Sequence, residues 1–139
     1  MIASMSEEDG FGLLHINTEI TNQDNFQEFL KDLRRKNKKT LLALFLDQLN
    51  VHKTKKVREL MEKLHINPIF NVGYSPEFNP IESVFSKVKF LFARTRLNDL
   101  VNKKGFNFDR SVTLAFKAVS TAHCAACVRK SYFLLERAA

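Results

Sequence analysis

The chain has 139 residues, 45% of them hydrophobic, and a formal net charge of +7. A chain of this length can bury a core of its own, so we expect one folded domain. No run of residues reaches the apolar length of a membrane span, and the acidic stretch that follows the first few residues argues against a signal peptide. We therefore expect an intracellular protein whose charge favours an anionic partner such as nucleic acid, with a merely solvated basic surface as the alternative.

Two strands and a helix are predicted in the first third of the chain. Met1 to Met5 and Phe11 to Ile16 have the composition of strands, and Asp9-Gly10 between them is a hairpin-turn signal. From Asn22 the apolar residues recur at helical spacing, and Asn22 or Asp24 is a suitable N-cap. The predicted inner face of this helix consists of Phe26, Phe29, Leu30 and Leu33.

A basic run ends the first predicted helix, with five cations among the six residues from 34 to 39. Positive charge in a last helical turn is favourable to the helix dipole, so part of the run is ordinary capping. The remainder could contact phosphates or act as a nuclear import signal. The residues assigned to DNA contact here are Arg34, Arg35, Lys38 and Lys39.

An acid directly follows the next strand. Leu41 to Leu46 is an unbroken apolar run, typical of a buried parallel strand, and Asp47 stands at its carboxyl end, where functional groups are often placed. An amphipathic helix is predicted from Lys53 to His65, and a short strand from Ile66 to Asn71 in which Pro68 suits an edge position. The helix has the inner face Val57, Leu60, Met61 and Leu64, and the basic outer face Lys53, Lys55, Lys56, Arg58 and Lys63. Of these cations, Lys53, Lys55, Lys56 and Arg58 are also assigned to DNA contact.

A second acid, Glu82, opens the following helix. Pro80 suits the first helical position, because its missing N–H would have no partner there. The apolar residues of this helix are Val84, Phe85, Val88 and Phe92. A right-handed crossover between the two strands predicts that Asp47 and Glu82 lie near each other.

The tail is predicted to be mainly helical. Residues 102–105 form a break, and Phe106 to Phe108 cover an apolar edge. Asp109 or Ser111 is expected to cap a long helical stretch whose apolar contacts include Val112, Phe116 and Leu134. The pair Cys124 and Cys127 is interpreted as core, because a structural zinc site needs four ligands and the chain has no second pair.

Two stretches together resemble a known family. The run YSPEFNPIESVFSKVK at residues 74–89 is similar to the third-acid motif of the DDE transposases of the mariner type, and LALFLDQLNVHKT at 42–54 resembles the strand that carries their second acid. Thirty-four residues separate Asp47 from Glu82, which matches the family spacing. His52 stands where the family has a His, whereas Gln48 replaces the usual Asn and Phe85 the common Trp. The family's first Asp would lie upstream of this chain.

The resemblance implies an α/β, ribonuclease-H-like three-layer fold that is incomplete at the N-terminus, where the first central strand is missing. Residues 1–96 would hold the sheet and the motifs, and residues 97–139 the closing helices of one truncated domain. Since unpaired buried strand edges are costly, we expect a protein partner.

The family's chemistry needs three carboxylates that hold two divalent cations. With the first acid absent, Asp47, Glu82 and His52 are expected to be vestigial, with no cofactor and no catalysis. Lys87 and Lys89 join the residues expected to contact DNA phosphates without sequence preference, since the family's DNA-reading helix-turn-helix is also absent.

These observations leave several functions open. The first is an inactive, transposase-derived accessory subunit of a nuclear DNA-modifying complex, for which we name a DNA adenine-N6 methyltransferase complex as host. The alternative is a fragment of an active DDE nuclease, in which Asp47 and Glu82 bind Mg²⁺ and His52 positions water or DNA. A third hypothesis is an RNA-binding module, although no RNA-fold aromatic motif is present.

Overall fold

The computed structural model describes residues 1–16, 22–73 and 75–138. It is a mixed α/β structure, as predicted. Its elements in chain order are β1 Ile2–Ser6, β2 Gly10–His15, α1 Gln23–Lys36, β3 Leu42–Leu46, α2 Asn50–Lys53, α3 Lys55–Lys63, β4 Ile66–Phe70, a 3-10 turn Pro76–Phe78, α4 Pro80–Val101, α5 Phe108–Lys117 and α6 Thr121–Ala138.

The chain divides by packing into two compact units. The first unit comprises Met1–Ala3 and Leu13–Asn79, and the second comprises Ser4–Gly12 and Pro80–Ala139. The predicted acids are therefore in different units, Asp47 in the first and Glu82 in the second. Each unit has its own packing, and each is described separately below.

The predicted hairpin at the start is confirmed, because β1 pairs with β2 through a turn at residues 7–9. The backbone N–H of Asp9 donates to the hydroxyl of Ser6 at 3.0 Å. Gly10 has a φ of +72°, and a Cβ at this position would lie 2.9 Å from the Cα of Thr121. Both the backbone conformation and the close approach therefore require glycine here.

The core of the first unit forms around α1. The side chain of Asn22 accepts from the N–H of Asn25 at 2.9 Å, so Asn22 and not Asp24 is the N-cap. The inner face of α1 is buried as predicted, and α3 packs against it. The buried apolar cluster of this unit consists of Phe26, Phe29, Leu30, Leu33, Leu46, Val57, Met61 and Ile66.

Strands β3 and β4 pair in parallel, with Leu42 opposite Ile66 and Leu46 opposite Phe70. The prediction that the strand before Asp47 is buried along its length is wrong. Only Leu46 is buried, and Leu41 just before the strand is 93% exposed. In the described residues this sheet has two strands, so much of β3 has no neighbouring strand to cover it.

The helix predicted from Lys53 to His65 is in fact two helices. Thr54 has extended backbone angles (φ −61°, ψ 148°), and its hydroxyl accepts from the N–H of Val57 at 3.4 Å. Thr54 therefore caps α3, and Lys53 belongs to the short α2 before it. Val57 and Met61 are buried as expected, whereas Leu60 and Leu64 are half-buried.

The second unit is organised around α4, which begins at Pro80 as predicted and is about 33 Å long at 1.5 Å per residue. Helices α5 and α6 both pack against it. Of the four predicted apolar positions, Val84 and Val88 are buried, and Phe85 and Phe92 are half-buried.

The long helical stretch predicted for the C-terminal part of the chain consists of two helices, α5 and α6. Helices α5 and α6 meet at an angle of 73°, because the hydroxyl of Ser120 accepts from the N–H of His123 at 3.2 Å and starts a new helix. The cap of α5 is Asn107, which accepts from the N–H of Arg110 at 2.9 Å, and not Asp109 or Ser111. No single helix in the described part of the chain is long and apolar enough to cross a membrane, although the bent pair α5 and α6 would suffice by length and composition.

The two cysteines are confirmed as core residues. Cys124 is fully buried and Cys127 nearly so, and both are free thiols. Burial away from water raises the pKa of both thiols above the usual value, because the thiolate is poorly solvated there. These cysteines are therefore protonated and unreactive at neutral pH.

Candidate acidic site and basic surfaces

Asp47 lies directly beyond the carboxyl end of β3, as predicted. Its Oδ1 accepts from the backbone N–H of Leu49 at 3.1 Å, which makes a tight turn between the strand and α2. The same oxygen lies 2.8 Å from Nδ1 of His52. The ring N–H is not directed at the carboxylate, so this contact is a close electrostatic pairing and not an aligned hydrogen bond.

His52 is also held in place by packing. It is 8% exposed, and its ring lies 4.3 Å from the ring of Phe26 in α1. Helix α2 thus places a buried imidazole between the apolar core and the carboxylate of Asp47. His52 follows Asp47 by five residues in the sequence, and in the structure the two side chains are in contact.

Asn71 is a buried residue that the sequence did not single out. Its backbone N–H donates to the carbonyl of Leu46 at 2.7 Å, its side-chain amide donates to the carbonyl of Ser75 at 2.6 Å, and its carbonyl accepts from the side chain of Gln48. Asn71 is only 5% exposed. Asn71 therefore joins the end of β3 to the loop before α4. Gln48, which stands where the family has Asn, stabilises this junction through its hydrogen bond to Asn71. An Asn at the end of a strand, just before a glycine and a proline-containing loop, was the available signal.

Glu82 lies in the first turn of α4 with its side chain exposed. Its backbone carbonyl accepts from the hydroxyl of Ser86 at 3.1 Å. A carboxylate in a first turn is favoured by the helix dipole, by about 0.3–1 kcal/mol. The predicted proximity of Glu82 to Asp47 stays a prediction, because the two residues belong to different units.

The described residues do not by themselves form the three-carboxylate site that two divalent cations need. Residues 1–16, 22–73 and 75–138 contain no group of three or more His, Cys, Asp or Glu side chains able to hold one ion. Moreover, Oδ1 of Asp47 already serves the Leu49 turn and His52.

The basic run after α1 divides into two roles. Nη1 of Arg34 donates to the carbonyls of Asn37 and Thr40, and its Nη2 donates to that of His65, each at 2.9 Å. Arg34 therefore ties the ends of α1 and α3 together. Arg35 pairs with Asp32, whereas Lys38 and Lys39 are exposed.

The remaining predicted DNA contacts lie on α3 and α4. Lys55, Lys56 and Arg58 are exposed at the start of α3, with Lys55 3.9 Å from Glu59, and Lys53 is half-buried. The basic run after α1 lies near the end of α3, about 12 Å from the start of that helix. The first unit therefore presents two separate groups of cations, one near each end of α3. Lys87 and Lys89 are exposed on α4 in the second unit.

Comparison with known proteins identifies the family. The sequence profile described as "DDE superfamily endonuclease" matches residues 1–101, which confirms the resemblance seen in the two motifs. No curated protein sequence matches the chain.

Two solved structures of the Mos1 mariner transposase catalytic domain, one of them with raltegravir and manganese, are similar to this structure. Each has a TM-score of 0.61 and 17% sequence identity over 91% of this chain. The chain spans 65% and 64% of those domains, just under two thirds. The chain belongs to the DDE superfamily of endonucleases and has the ribonuclease-H-like α/β fold of a mariner transposase catalytic domain.

Proposed function

We propose that this protein does not cleave DNA and acts as an accessory subunit of a nuclear DNA-modifying complex, in which it gives structural support and non-specific contact to DNA. The observation that carries the proposal is the use of Asp47 inside the fold. Its Oδ1 accepts from Leu49 at 3.1 Å and lies 2.8 Å from the buried His52. An acid with these contacts has a structural task that remains when catalysis is lost.

The DNA contact is supported by exposed cations in both units. Lys38, Lys39, Lys55, Lys56 and Arg58 belong to the first unit, and Lys89 to the second. Lysines at the surface bind phosphates as point charges, without reading bases. The binding would be salt-dependent and blind to sequence.

For the host assembly we name a DNA adenine-N6 methyltransferase complex. The support is chemical: an enzyme that modifies bases along DNA gains from a basic, noncatalytic subunit that holds the duplex. The cation run at residues 34–39 supports a nuclear location, since Lys38 and Lys39 remain exposed for an import receptor.

The test uses the tagged full-length chain purified with its partners from its own cells. The complex should transfer methyl groups from S-adenosylmethionine to adenine in DNA, lose activity when the chain is depleted, and regain it when the chain is added back. The double variant Asp47→Asn with Glu82→Gln should restore activity as well as the unchanged chain. A complex without methyl transfer removes this host, and failure of a double variant that circular dichroism shows to be folded contradicts the noncatalytic role.

The alternative is that these residues are part of an active DDE nuclease completed by another segment. It is favoured by the accessibility of both acids, since the Asp47 side chain is 38% exposed and Glu82 is exposed. When bound, divalent cations would activate the attacking oxygen and stabilise the leaving one. The same purified material then cleaves DNA with Mn²⁺ or Mg²⁺, and Asp47→Asn abolishes the cleavage; absence of cleavage in the unchanged complex supports our proposal.

A further inference from the structure

Helix α4 is apolar on two opposite faces. Val84 and Val88 are buried on one side, whereas Phe90, Leu97 and Val101 are 60%, 64% and 81% exposed. Spacings of seven and four residues place the exposed three along one line of a helix with 3.6 residues per turn. A helix that is apolar on opposite faces is typical of one covered on both sides. In the described residues only the first of these faces is covered.

The exposed stripe begins in a groove between α4 and α6. The α4 side is lined by Ser83, Lys87 and Phe90, and the α6 side by His123, Cys127 and Lys130. On each helix the three positions fall at spacings of three, four or seven, so each presents one continuous face. The groove has a volume of about 610 Å³ and is open along its length. Its shape is that of a channel between two helices that can accept a third.

The charge of the groove selects among possible occupants. Lys87 and Lys130 line it, and no acidic side chain of the described residues does. The Nζ of Lys87 lies 5.6 Å from the centre of the Phe90 ring, so the cation and the apolar surface form one patch. A nucleic acid backbone would satisfy the lysines but would leave the floor of Phe90 and Cys127 without an apolar partner. A second copy of this chain, with its net charge of +7, would bring mainly like charge.

His123 lines the α6 side of the groove. Its Nε2 is buried and has no hydrogen-bond partner within residues 1–16, 22–73 and 75–138, so this atom is closed to an occupant. The groove therefore offers apolar contact along its floor and two cations.

We infer that the groove between α4 and α6 binds an acidic amphipathic helix of a partner protein. Its apolar side chains lie on Phe90 and along the stripe to Val101, and its carboxylates pair with Lys87 and Lys130. The inference deepens the proposed role as a subunit, on which it rests, by giving the location and chemistry of one partner contact. It is independent of the Asp47 argument.

The test measures binding of two labelled helical peptides to the full chain by fluorescence anisotropy. Each peptide is about 18 residues long, which spans the roughly 27 Å from Ser83 to Val101. Both carry leucine at alternating spacings of three and four; one has Glu on the flanks of the leucine face, and the other has Lys at those positions. The acidic peptide should bind and the basic peptide should not.

Variants then locate the site. Phe90→Ser should weaken binding of the acidic peptide by about tenfold, as expected for an aromatic anchor. Lys87→Glu with Lys130→Glu should weaken it by at least about tenfold and make the basic peptide the better ligand. The matched controls Tyr132→Ser, also 60% exposed, and Lys104→Glu with Lys117→Glu should change neither affinity by more than about twofold. All of these side chains are exposed, and circular dichroism checks that the variants fold.

Several outcomes overturn the inference. If both peptides bind equally well, the groove is not a site for an acidic helix. The same follows if the variant Lys87→Glu with Lys130→Glu still prefers the acidic peptide. Competition by an oligonucleotide whose affinity depends on Phe90 makes the site a nucleic-acid surface, and self-association that Phe90→Ser abolishes makes it a dimer contact. None of these outcomes affects the methyl-transfer test of the proposed function.

Discussion

The two units use their apolar residues in different ways. In the first unit, α1 gathers Phe26, Phe29, Leu30 and Leu33 on one side, and all four are buried. In the second unit, α4 is longer and contains apolar residues around its circumference, yet only Val84 and Val88 are buried. Because large exposed apolar patches mark interaction surfaces, the exposed face of α4 is a candidate contact for a partner.

The largest expected effect separates buried from exposed phenylalanine. Phe29 is 2% exposed and stacks at 6.3 Å on Phe26, so Phe29→Ala should lower the free energy of unfolding by about 3–5 kcal/mol. Phe90→Ala, in the exposed stripe, should change it by no more than about 0.5 kcal/mol. Urea titration followed by circular dichroism measures both. Similar losses would mean that the stripe of α4 is already covered within this chain.

Next in size is the contribution of Arg34 to the first unit. Arg34→Met removes the hydrogen bonds to three carbonyls, one of them partly buried, and should cost about 1.5–3 kcal/mol, because a hydrogen bond from a charged donor contributes more than a neutral one. Arg35→Met removes only an exposed ion pair and should cost less than about 1 kcal/mol. The same titrations give both values. If the two variants are equally stable, Arg34 does not hold α1 against α3 and is free to contact DNA.

The basic surface of the first unit should dominate DNA binding. Replacement of Lys53, Lys55, Lys56 and Arg58 by Gln should weaken binding to a duplex by about tenfold, or about 1.4 kcal/mol. The slope of log affinity against log salt should become shallower by about 0.9 for each phosphate that the variant no longer neutralises. Filter binding at several salt concentrations measures the slope.

The matched control for this surface lies in the second unit. It replaces Lys103, Lys104, Arg110 and Lys117 by Gln, so the change in net charge is the same, and all four side chains are exposed. We expect a smaller loss of affinity and little change of slope. Equal slopes for the two variants would remove α3 from the DNA surface.

The smallest effects concern helix caps, and they test whether the units unfold separately. Asn22→Ala in the first unit and Asn107→Ala in the second should each cost about 1 kcal/mol, since each side chain accepts from a backbone N–H at 2.9 Å. Hydrogen exchange should show faster opening of α1 in the first variant and of α5 in the second. If either variant speeds exchange in both helices equally, the chain unfolds as one cooperative block.

Local signals in the sequence account for much of the fold. The hairpin at Asp9-Gly10, the cap at Asn22 and the start of α4 at Pro80 each depend on neighbouring residues, and all three are confirmed. The two breaks at Thr54 and Ser120 were missed, because apolar spacing continues across them. Both residues are suitable N-caps, so a search for caps inside long periodic stretches would have found them.

Interactions between distant residues could not be predicted in this way. Arg34 was assigned to DNA, but its Nη2 donates to the carbonyl of His65, thirty-one residues away. Gln48 donates to Asn71 across twenty-three residues, and nothing near Gln48 in the sequence indicates that partner. The pattern of α4 shows apolar residues on both faces, but only packing shows which face is left exposed.

The turn at Asp47 has a consequence for evolution within the family. Selection for folding alone is enough to retain this acid, since its loss would free the N–H of Leu49 and leave His52 without its carboxylate. Glu82 is exposed in a first helical turn, where Asp, Ser or Gln would serve the helix nearly as well. We therefore expect relatives of this chain that have lost cleavage to vary more at the position of Glu82 than at that of Asp47.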